Sequence, residues 1–280
     1  MTAMLLAAVI GLNAACADSN NSRVEAKKVT FEATQPNAFC SISVDEPVCN
    51  NPRLRSQLMK YIIDELEIFT YEDTQPLMRP DFDSMTVEEI VKDYATAKAE
   101  MLSKEKTNTD KDDEGVNEDP RQRSDWIENL YINLMADSTQ YVSYLVEGSS
   151  FTGGIHGSYW FRTATINKNN GQVLANIFRP DAQEKIQQML WKRLTESRGE
   201  EEDKEVFRRS IEEYLEYSYG QKDVLPLPQA EPMLTPTGIV LQYQSYEICN
   251  FAMGAPQLTF TTEEALPFLS DEAARLLQDQ

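Results

Sequence analysis

Apolar residues alternate with polar ones along some segments of the chain and recur at helical spacing along others. Alternation on either side of Gln35-Pro36-Asn37 predicts a β-hairpin. After it, Asn51-Pro52 supplies an N-cap and a first-turn proline for a helix. One face of that helix is apolar: Leu54, Leu58, Ile62, Leu66 and Phe69. Thr86 and Glu89 have the spacing of a capping box and predict the start of a second helix.

The second half of the chain begins with strand-like sequence over residues 126–136, 140–148 and 159–167, which predicts an antiparallel meander. Asp181 and Glu184 then open a helical pattern, and a second helical pattern and the strand-like stretch 238–243 follow it. Because strands cluster and helices cluster, the order of elements predicts an α+β fold, in which a mainly antiparallel sheet packs with several helices.

Residues 103–125 interrupt these patterns. The segment contains a single aliphatic residue, Val116, among many charged side chains. Such a composition cannot bury a core, and it predicts an acidic linker or solvated loop. The linker would separate an N-terminal unit of hairpin plus helices, residues 25–102, from an α+β domain, residues 126–280.

The N-terminus contains a short apolar run, residues 4–12, which is too short to span a bilayer and is typical of a secretory signal. The sequence Leu12-Asn13-Ala14-Ala15-Cys16 resembles the lipobox of bacterial lipoproteins. We therefore expect residues 1–16 to be a lipoprotein-type signal segment, residues 17–24 a polar tether, and Cys16 the lipidated residue that anchors an extracytoplasmic protein to the membrane. An ordinary cleaved signal is the alternative.

Net charge and cysteine content limit the partners, disulfides and metal sites that the chain can have. The chain has 26 Lys and Arg against 46 Asp and Glu, a net charge of -20, which repels nucleic acid. Outside a reducing cytoplasm, Cys40 and Cys49 become candidates for a local disulfide. With one histidine and no CxxC pattern, the sequence predicts no metal site, and it shows no cofactor-binding motif.

The single histidine, His156, lies among Gly153, Gly154 and Gly157. These glycines permit positive φ angles and predict a tight turn between two strands. No nucleophile or metal motif accompanies His156, so a structural or ligand-contacting role is favoured over catalysis. The nearby Trp160 could stack on a sugar ring, although packing in the sheet core is the more common role of an aromatic residue on a strand.

Two blocks of the sequence resemble a known family. Thr152-Gly153-Gly154-Ile155-His156-Gly157 is followed by a turn at Gly171 and by Asn176-Ile177-Phe178, and a second block contains Tyr246-Glu247-Ile248, Ala252 and the turn residue Gly254. Over about residues 126–277, this pattern resembles the extracytoplasmic domain of unknown function that occurs in the anti-sigma factor RsiV and in the peptidoglycan deacetylase PdaC.

The resemblance implies an α+β extracytoplasmic module without established catalysis, and in the RsiV branch the module binds lysozyme. We therefore expect a non-catalytic binding module for a cell-envelope component, with a lysozyme-like protein or a peptidoglycan fragment as partner. The candidate contact residues are His156, Trp160, Tyr246 and Glu247. The alternative function is a carboxylate-dependent hydrolase of cell-wall glycan, in which Glu247 would be the first acid to test.

Overall fold

The computed structural model of the protein describes residues 23–71, 85–112, 125–196, 201–222 and 224–278. This part of the chain contains a five-stranded sheet, a three-stranded sheet and six α-helices. The predicted α+β class is confirmed. The signal segment with Cys16 and most of the polar tether lie outside the described residues. Among the described helices, none combines the length and the apolar character that crossing a membrane requires.

The larger sheet follows the order of the chain. Its strands are β1 (Glu25–Gln35), β2 (Ala38–Val48), β3 (Trp126–Asp137), β4 (Tyr141–Phe151) and β5 (Ser158–Asn167). Neighbouring strands are antiparallel except β2 and β3, which are parallel. The connection between these two strands contains α1 (Pro52–Tyr71) and α2 (Val87–Asp112). A parallel pair needs such a long crossover because its strands start at the same end of the sheet.

Local signals in the sequence set the turn of the hairpin and the starts of both helices. The β1–β2 hairpin closes where Gln35 pairs with Ala38, and Asn37 in its turn has a φ of 62°. Helix α1 begins where the side chain of Asn51 accepts a hydrogen bond from the amide of Leu54, 3.1 Å. Helix α2 begins with the predicted capping box, because Thr86 and Glu89 each bind the backbone amide of the other.

Helices α1 and α2 cover one face of the larger sheet. The apolar residues predicted on α1 face inward and join a core with the alternating residues of the strands. The largest fully buried side chains of this core are Ile42, Leu54, Leu58, Ile62, Leu66, Leu130, Ile132, Tyr144 and Ile166. Burial of this apolar area is the main stabilising term for the helix-covered face.

The C-terminal half forms a second core against the opposite face. It contains helices α3 (Gln183–Glu196), α4 (Glu201–Tyr219), α5 (Thr262–Ala265) and α6 (Asp271–Gln278) around strands β6 (Met233–Thr235), β7 (Gly238–Gln242) and β8 (Gln257–Thr261). The side chain of Thr165 on β5 accepts a hydrogen bond from the amide of Leu234 on β6, 3.0 Å, so hydrogen bonds as well as apolar packing join this half to the larger sheet.

The predicted acidic linker is wrong over its first part, because helix α2 continues to Asp112. The Ser103 hydroxyl donates to the carbonyl of Pro36 at the hairpin turn, 2.7 Å, and the ammonium of Lys106 lies 5.7 Å from the centre of the Trp126 ring. Charged residues with long stems are good helix formers and can cover apolar surface. Residues 113–124 lie outside the described part of the chain.

The expected Cys40–Cys49 disulfide is also wrong. Both thiols are free, and Cys40 lies inside β2 while Cys49 directly follows that strand. An extended strand rises about 3.3 Å per residue, which places the two cysteines about 30 Å apart. A disulfide needs Cα atoms within roughly 7 Å. Burial raises the pKa of the Cys40 thiol to about 12, so this thiol remains protonated.

Candidate functional site

The two sequence blocks of the resemblance meet in space at an exposed site. Residues 152–157 form the loop between β4 and β5, and residues 244–253 follow β7. Nε2 of His156 lies 3.0 Å from the hydroxyl oxygen of Tyr246. The imidazole also stacks on the ring of Phe251, with the ring centres 4.0 Å apart and the planes 12° from parallel. Segments that are ninety residues apart in sequence therefore build one aromatic site.

Glycines give the β4–β5 loop its shape, for two different reasons. Gly153 and Gly154 have φ angles of 97° and 96°, in the region that side chains disfavour, as the sequence predicted. Gly157 does not have a positive φ; a Cβ atom there would instead lie 2.7 Å from the carbonyl oxygen of Ser150. The loop presents Ile155 to solvent with 89% of its surface exposed.

The hydrogen bonds of His156 determine which nitrogen carries the proton in the neutral ring. Nδ1 lies 2.8 Å from the carbonyl oxygen of Gly157, and a carbonyl can only accept, so Nδ1 must be the donor. Nε2 is then the acceptor and receives the hydroxyl proton of Tyr246. Nδ1 donates its hydrogen bond to a carbonyl and not to a carboxylate. The His156–Tyr246 pair therefore lacks the acid partner of a catalytic triad.

Two tyrosines of α4 donate hydrogen bonds to the backbone around Tyr246. Tyr246 has a φ of 63°, which is uncommon for a residue other than glycine. The Tyr214 hydroxyl donates to the Tyr246 carbonyl, 2.5 Å, and the Tyr219 hydroxyl donates to the Glu247 carbonyl, 2.9 Å. Gly254, with a φ of 80°, ends the short helical turn that carries Phe251. The unusual conformation is therefore fixed by specific contacts.

Glu247 lies beneath the site and is only 4% exposed. Its carboxylate accepts hydrogen bonds from the backbone amides of Gln229, 2.7 Å, and Gln244, 2.6 Å. Burial raises the pKa of Glu247, and these two bonds oppose the shift. Glu247, which was predicted to contact a ligand, is therefore buried and stabilises the backbone under the site.

Gln244 is a supporting residue that sequence reasoning missed. Its side-chain amide accepts from the amide of Phe161, 2.8 Å, and donates to the carbonyl of the same residue, 2.7 Å. Gln244 therefore pairs with the outer edge of β5 as a neighbouring strand would. This bond pair fixes the segment that carries Tyr246 against the strand that follows His156. A glutamine after a strand gives no sequence signal of such pairing.

Two half-exposed tyrosines complete the site. Tyr159 is 47% exposed and Tyr246 is 46% exposed. The rings of both lie near that of Phe251, with centre distances of 6.1 Å for Tyr159 and 5.8 Å for Tyr246. We call the four residues His156, Tyr159, Tyr246 and Phe251 the aromatic surface. Sequence reasoning did not assign Phe251 to the site.

Trp160 lies on the opposite face of β5, because successive side chains of a strand point to opposite faces. The guanidinium of Arg162 covers its ring at 4.3 Å from the ring centre, and the ring fills the space above Gly148. Arg162 in turn forms an ion pair with Glu65 on α1, 2.7 Å. The structure therefore brings His156 and Tyr246 together and separates Trp160 from them.

The site offers aromatic faces, a tyrosine hydroxyl and an imidazole. In the described ranges, no group of three or more His, Cys, Asp or Glu side chains is arranged to hold a metal ion. Flat, half-exposed rings with a few fixed polar atoms are typical of surfaces that bind a partner or a ligand. The arrangement can thus contribute stacking and hydrogen bonding.

Comparisons with known proteins agree with this fold. The family described as "Protein of unknown function (DUF3298)" matches residues 175–263, and no curated protein matches the chain. The chain is similar to a solved structure of a DUF3298 family member from Bacteroides fragilis NCTC 9343, at 17% identity and a TM-score of 0.67, over 93% of this chain and 100% of that chain.

A second similar structure is a DUF3298 family protein from Pseudomonas aeruginosa PAO1, at 14% identity and a TM-score of 0.51, over 90% of this chain and 97% of that chain. At such identities the likeness shows the fold alone. Tyr246 and Phe251 lie within the matched residues, whereas His156 and Tyr159 precede them. The chain thus carries a DUF3298 domain at residues 175–263 and shares its overall fold with proteins of the DUF3298 family.

Proposed function

We propose that the protein is a non-catalytic binding module of the bacterial cell envelope and that the aromatic surface is its contact face. The observation that carries the proposal is the contact between His156 and Tyr246, 3.0 Å, which joins two distant segments at an exposed position. Aromatic side chains that stabilise a core bury most of their surface. Here the tyrosine rings on either side of Phe251 remain about half exposed.

The backbone of Tyr246 supports the same proposal. A non-glycine residue at positive φ costs on the order of 1 kcal/mol or more, and such residues cluster at functional sites. Gly would adopt the same φ without that cost. The tyrosine side chain therefore has a use at this position that outweighs the strain of its backbone.

For the partner we propose a lysozyme-like protein or a peptidoglycan fragment. The resemblance to the lysozyme-binding domain of RsiV supports the first, and the exposed tyrosine rings suit sugar rings as well as protein side chains. The net charge of -20 favours encounter with a basic protein such as lysozyme. Both partners belong to the cell envelope or act on it.

Calorimetric titration tests the proposal. The purified protein is titrated with lysozyme and, separately, with soluble peptidoglycan fragments at moderate salt. We expect saturable binding of one of them, recovery of that ligand unchanged, and at least a several-fold loss of affinity in Tyr159→Ala, because a stacked aromatic contact is removed. Tyr217→Ala is the matched control, because Tyr217 is 91% exposed and belongs to α4. Absence of saturable binding to both ligands would refute the proposal.

The hydrolase alternative centred on Glu247 has less support from the geometry, because both carboxylate oxygens accept backbone hydrogen bonds. A catalytic acid must reach the substrate oxygen. The titration samples also test this alternative: glycan turnover that disappears in Glu247→Gln, with the fold retained, would support the hydrolase and contradict the binding module.

We also propose that the protein is extracytoplasmic and anchored to the membrane through a lipid on Cys16. The lipobox-like sequence before Cys16 and the mainly polar residues that follow it support this localisation. Metabolic labelling with palmitate should mark the wild-type protein and leave Cys16→Ala unmarked. Label that persists in Cys16→Ala would exclude this anchor.

A further inference from the structure

We infer that the aromatic surface accepts a cationic hydrogen-bond donor, and specifically an arginine side chain on the surface of a basic protein partner. The guanidinium would lie against the exposed ring of Tyr159 and donate to the Tyr246 hydroxyl oxygen. The inference rests on the proposed binding function and specifies the chemistry of its ligand. It follows from the hydrogen bonds of His156, from the uncovered rings and from the charge of the chain.

The direction of the hydrogen bonds determines what Tyr246 can offer to a ligand. Nδ1 of neutral His156 donates to the carbonyl of Gly157, so Nε2 must accept the proton of the Tyr246 hydroxyl. The hydroxyl of Tyr246 has no second proton to donate. Its oxygen therefore presents only lone pairs to a ligand, and the complementary ligand group at this point is a donor.

Several other aromatic rings of the protein are covered by cations of the chain itself. The guanidinium of Arg162 lies over Trp160, 4.3 Å from the ring centre, and similar contacts involve Arg193 with Phe260 at 5.0 Å and Arg208 with Trp191 at 5.3 Å. Among the described residues, no Lys or Arg occupies such a position over the rings of the aromatic surface. The exposed parts of the Tyr159 and Tyr246 rings are therefore available to an external cation.

An arginine side chain on a protein fits this surface better than other cations do. A guanidinium is planar, stacks on aromatic rings and donates in the plane of the stack, whereas an ammonium is a compact and strongly hydrated charge. Ile155, 89% exposed beside His156, adds an apolar contact of the kind that protein interfaces bury. The net charge of -20 attracts a basic partner protein and repels an acidic one.

The single histidine makes the site observable by NMR in the full chain, because only one imidazole contributes ring signals. The neutral ring should show a protonated Nδ1 and a bare Nε2 in its ¹⁵N shifts. Three small probes of similar size are then titrated at neutral pH: ethylguanidinium, ethylurea and acetate. We expect a saturable shift of the His156 signals with ethylguanidinium, a weaker response to ethylurea and none to acetate.

The variant that tests the acceptor is Tyr246→Phe, which keeps the ring and removes the oxygen. We expect its affinity for ethylguanidinium to fall about ten-fold or more, as for the loss of one hydrogen bond to a charged donor. Tyr217→Phe removes a hydroxyl from another exposed tyrosine and should leave the affinity unchanged. An Nε2-protonated neutral ring, equal responses to acetate and ethylguanidinium, or unchanged affinity in a folded Tyr246→Phe would each overturn the inference.

The failure of this inference can be distinguished from failure of the proposed function. Saturable binding of lysozyme or peptidoglycan without selectivity for ethylguanidinium would refute only the cationic ligand. Selective binding of ethylguanidinium without binding to either macromolecule would refute only the proposed partners. Glucosamine, a cationic sugar, is the final comparison: a stronger response to it than to ethylguanidinium would overturn the assignment to arginine.

Discussion

Strand β5 carries aromatic residues on both faces, and the two faces differ in what covers them. On one face, Trp160 lies under the guanidinium of Arg162, whose side chain is ion-paired with the buried Glu65. On the other face, the ring of Tyr159 is about half exposed beside the ring of Phe251. Adjacent residues of one strand thus have opposite environments, because α1 covers one face and the loop after β7 borders the other.

The comparison teaches that residue type alone does not identify a binding surface. Trp160 was a candidate contact residue from the sequence, whereas Tyr159 was not. The Trp160 ring is, however, already covered by the chain, and Gly148 leaves the space that the ring fills. The half-exposed rings belong to Tyr159 and Tyr246, and these two rings define the proposed contact face. Perturbing each face should therefore affect different properties of the protein.

The largest effect is expected from Arg162→Ala on the covered face. The substitution leaves Glu65 buried without its cation, and breaking a buried pair costs several kcal/mol. Because the Arg162 side chain is 37% exposed, we expect a smaller loss, about 3 kcal/mol of unfolding free energy. Urea unfolding measures this loss, and ligand binding by the folded variant should be unchanged.

Arg208→Ala is the matched control for that variant. Arg208 also lies over a tryptophan, Trp191, and pairs with Glu212, but its side chain is 54% exposed. Exposed pairs contribute about 0 to 1 kcal/mol, so this variant should lose less than about 1 kcal/mol. Equal losses in the two variants would contradict the difference in environment that we assign to them.

Substitution of a glycine on each face should reduce the unfolding free energy by a smaller amount. In Gly148→Ala, the new Cβ would lie 2.0 Å from the Trp160 ring, and overpacking should cost about 2 kcal/mol. In Gly153→Ala the space is open, but the φ of 97° remains, and backbone strain should cost about 1 kcal/mol. Thermal unfolding of both variants compares the costs. Only Gly153→Ala should also weaken ligand binding, because it alters the loop of His156.

The smallest effect is a change in the pH dependence of stability in Glu247→Gln. Burial raises the pKa of Glu247 in the folded protein. Its contribution is therefore fully present below the pKa of the unfolded chain and is lost as pH rises through the folded value. The unfolding free energy of the wild type minus that of Glu247→Gln should decrease with rising pH. Urea unfolding at several pH values measures this difference.

Glu89→Gln gives the opposite sign and serves as the comparison. Hydrogen bonds from Thr86 in the capping box lower the pKa of Glu89. Its contribution is present above the pKa of the unfolded chain and is lost as pH falls through the folded value. Differences of the same sign in the two variants would show that burial does not control the titration of Glu247.

Much of the fold could be predicted because it depends on neighbours in the sequence. The hairpin at Asn37, the N-cap at Asn51 and the capping box at Thr86 each need only a few adjacent residues. Apolar spacing likewise predicted the inward face of α1. Ser103–Asp112 was misassigned because its helix is stabilised by contacts outside the segment, such as that of Lys106 with Trp126.

The candidate site could be predicted only in part. His156 and Tyr246 were identified through two separate blocks of the sequence, yet neither block indicates that they touch. Glu247 was expected at the surface and lies below it, because its carboxylate is needed by two backbone amides. Gln244 and Phe251 gave no signal, since the partners that give them a role come from distant strands and loops.

The sequence by itself determined the α+β class, the starts of the first two helices and the turn of His156. These features follow from side-chain periodicity, capping and backbone preferences, which act over a few residues. The tertiary structure decided that β2 pairs in parallel with β3, that Trp160 is covered and that His156 meets Tyr246. Such features depend on which surfaces become neighbours when two cores form on opposite faces of one sheet. Burial of apolar surface from distant segments drives that arrangement.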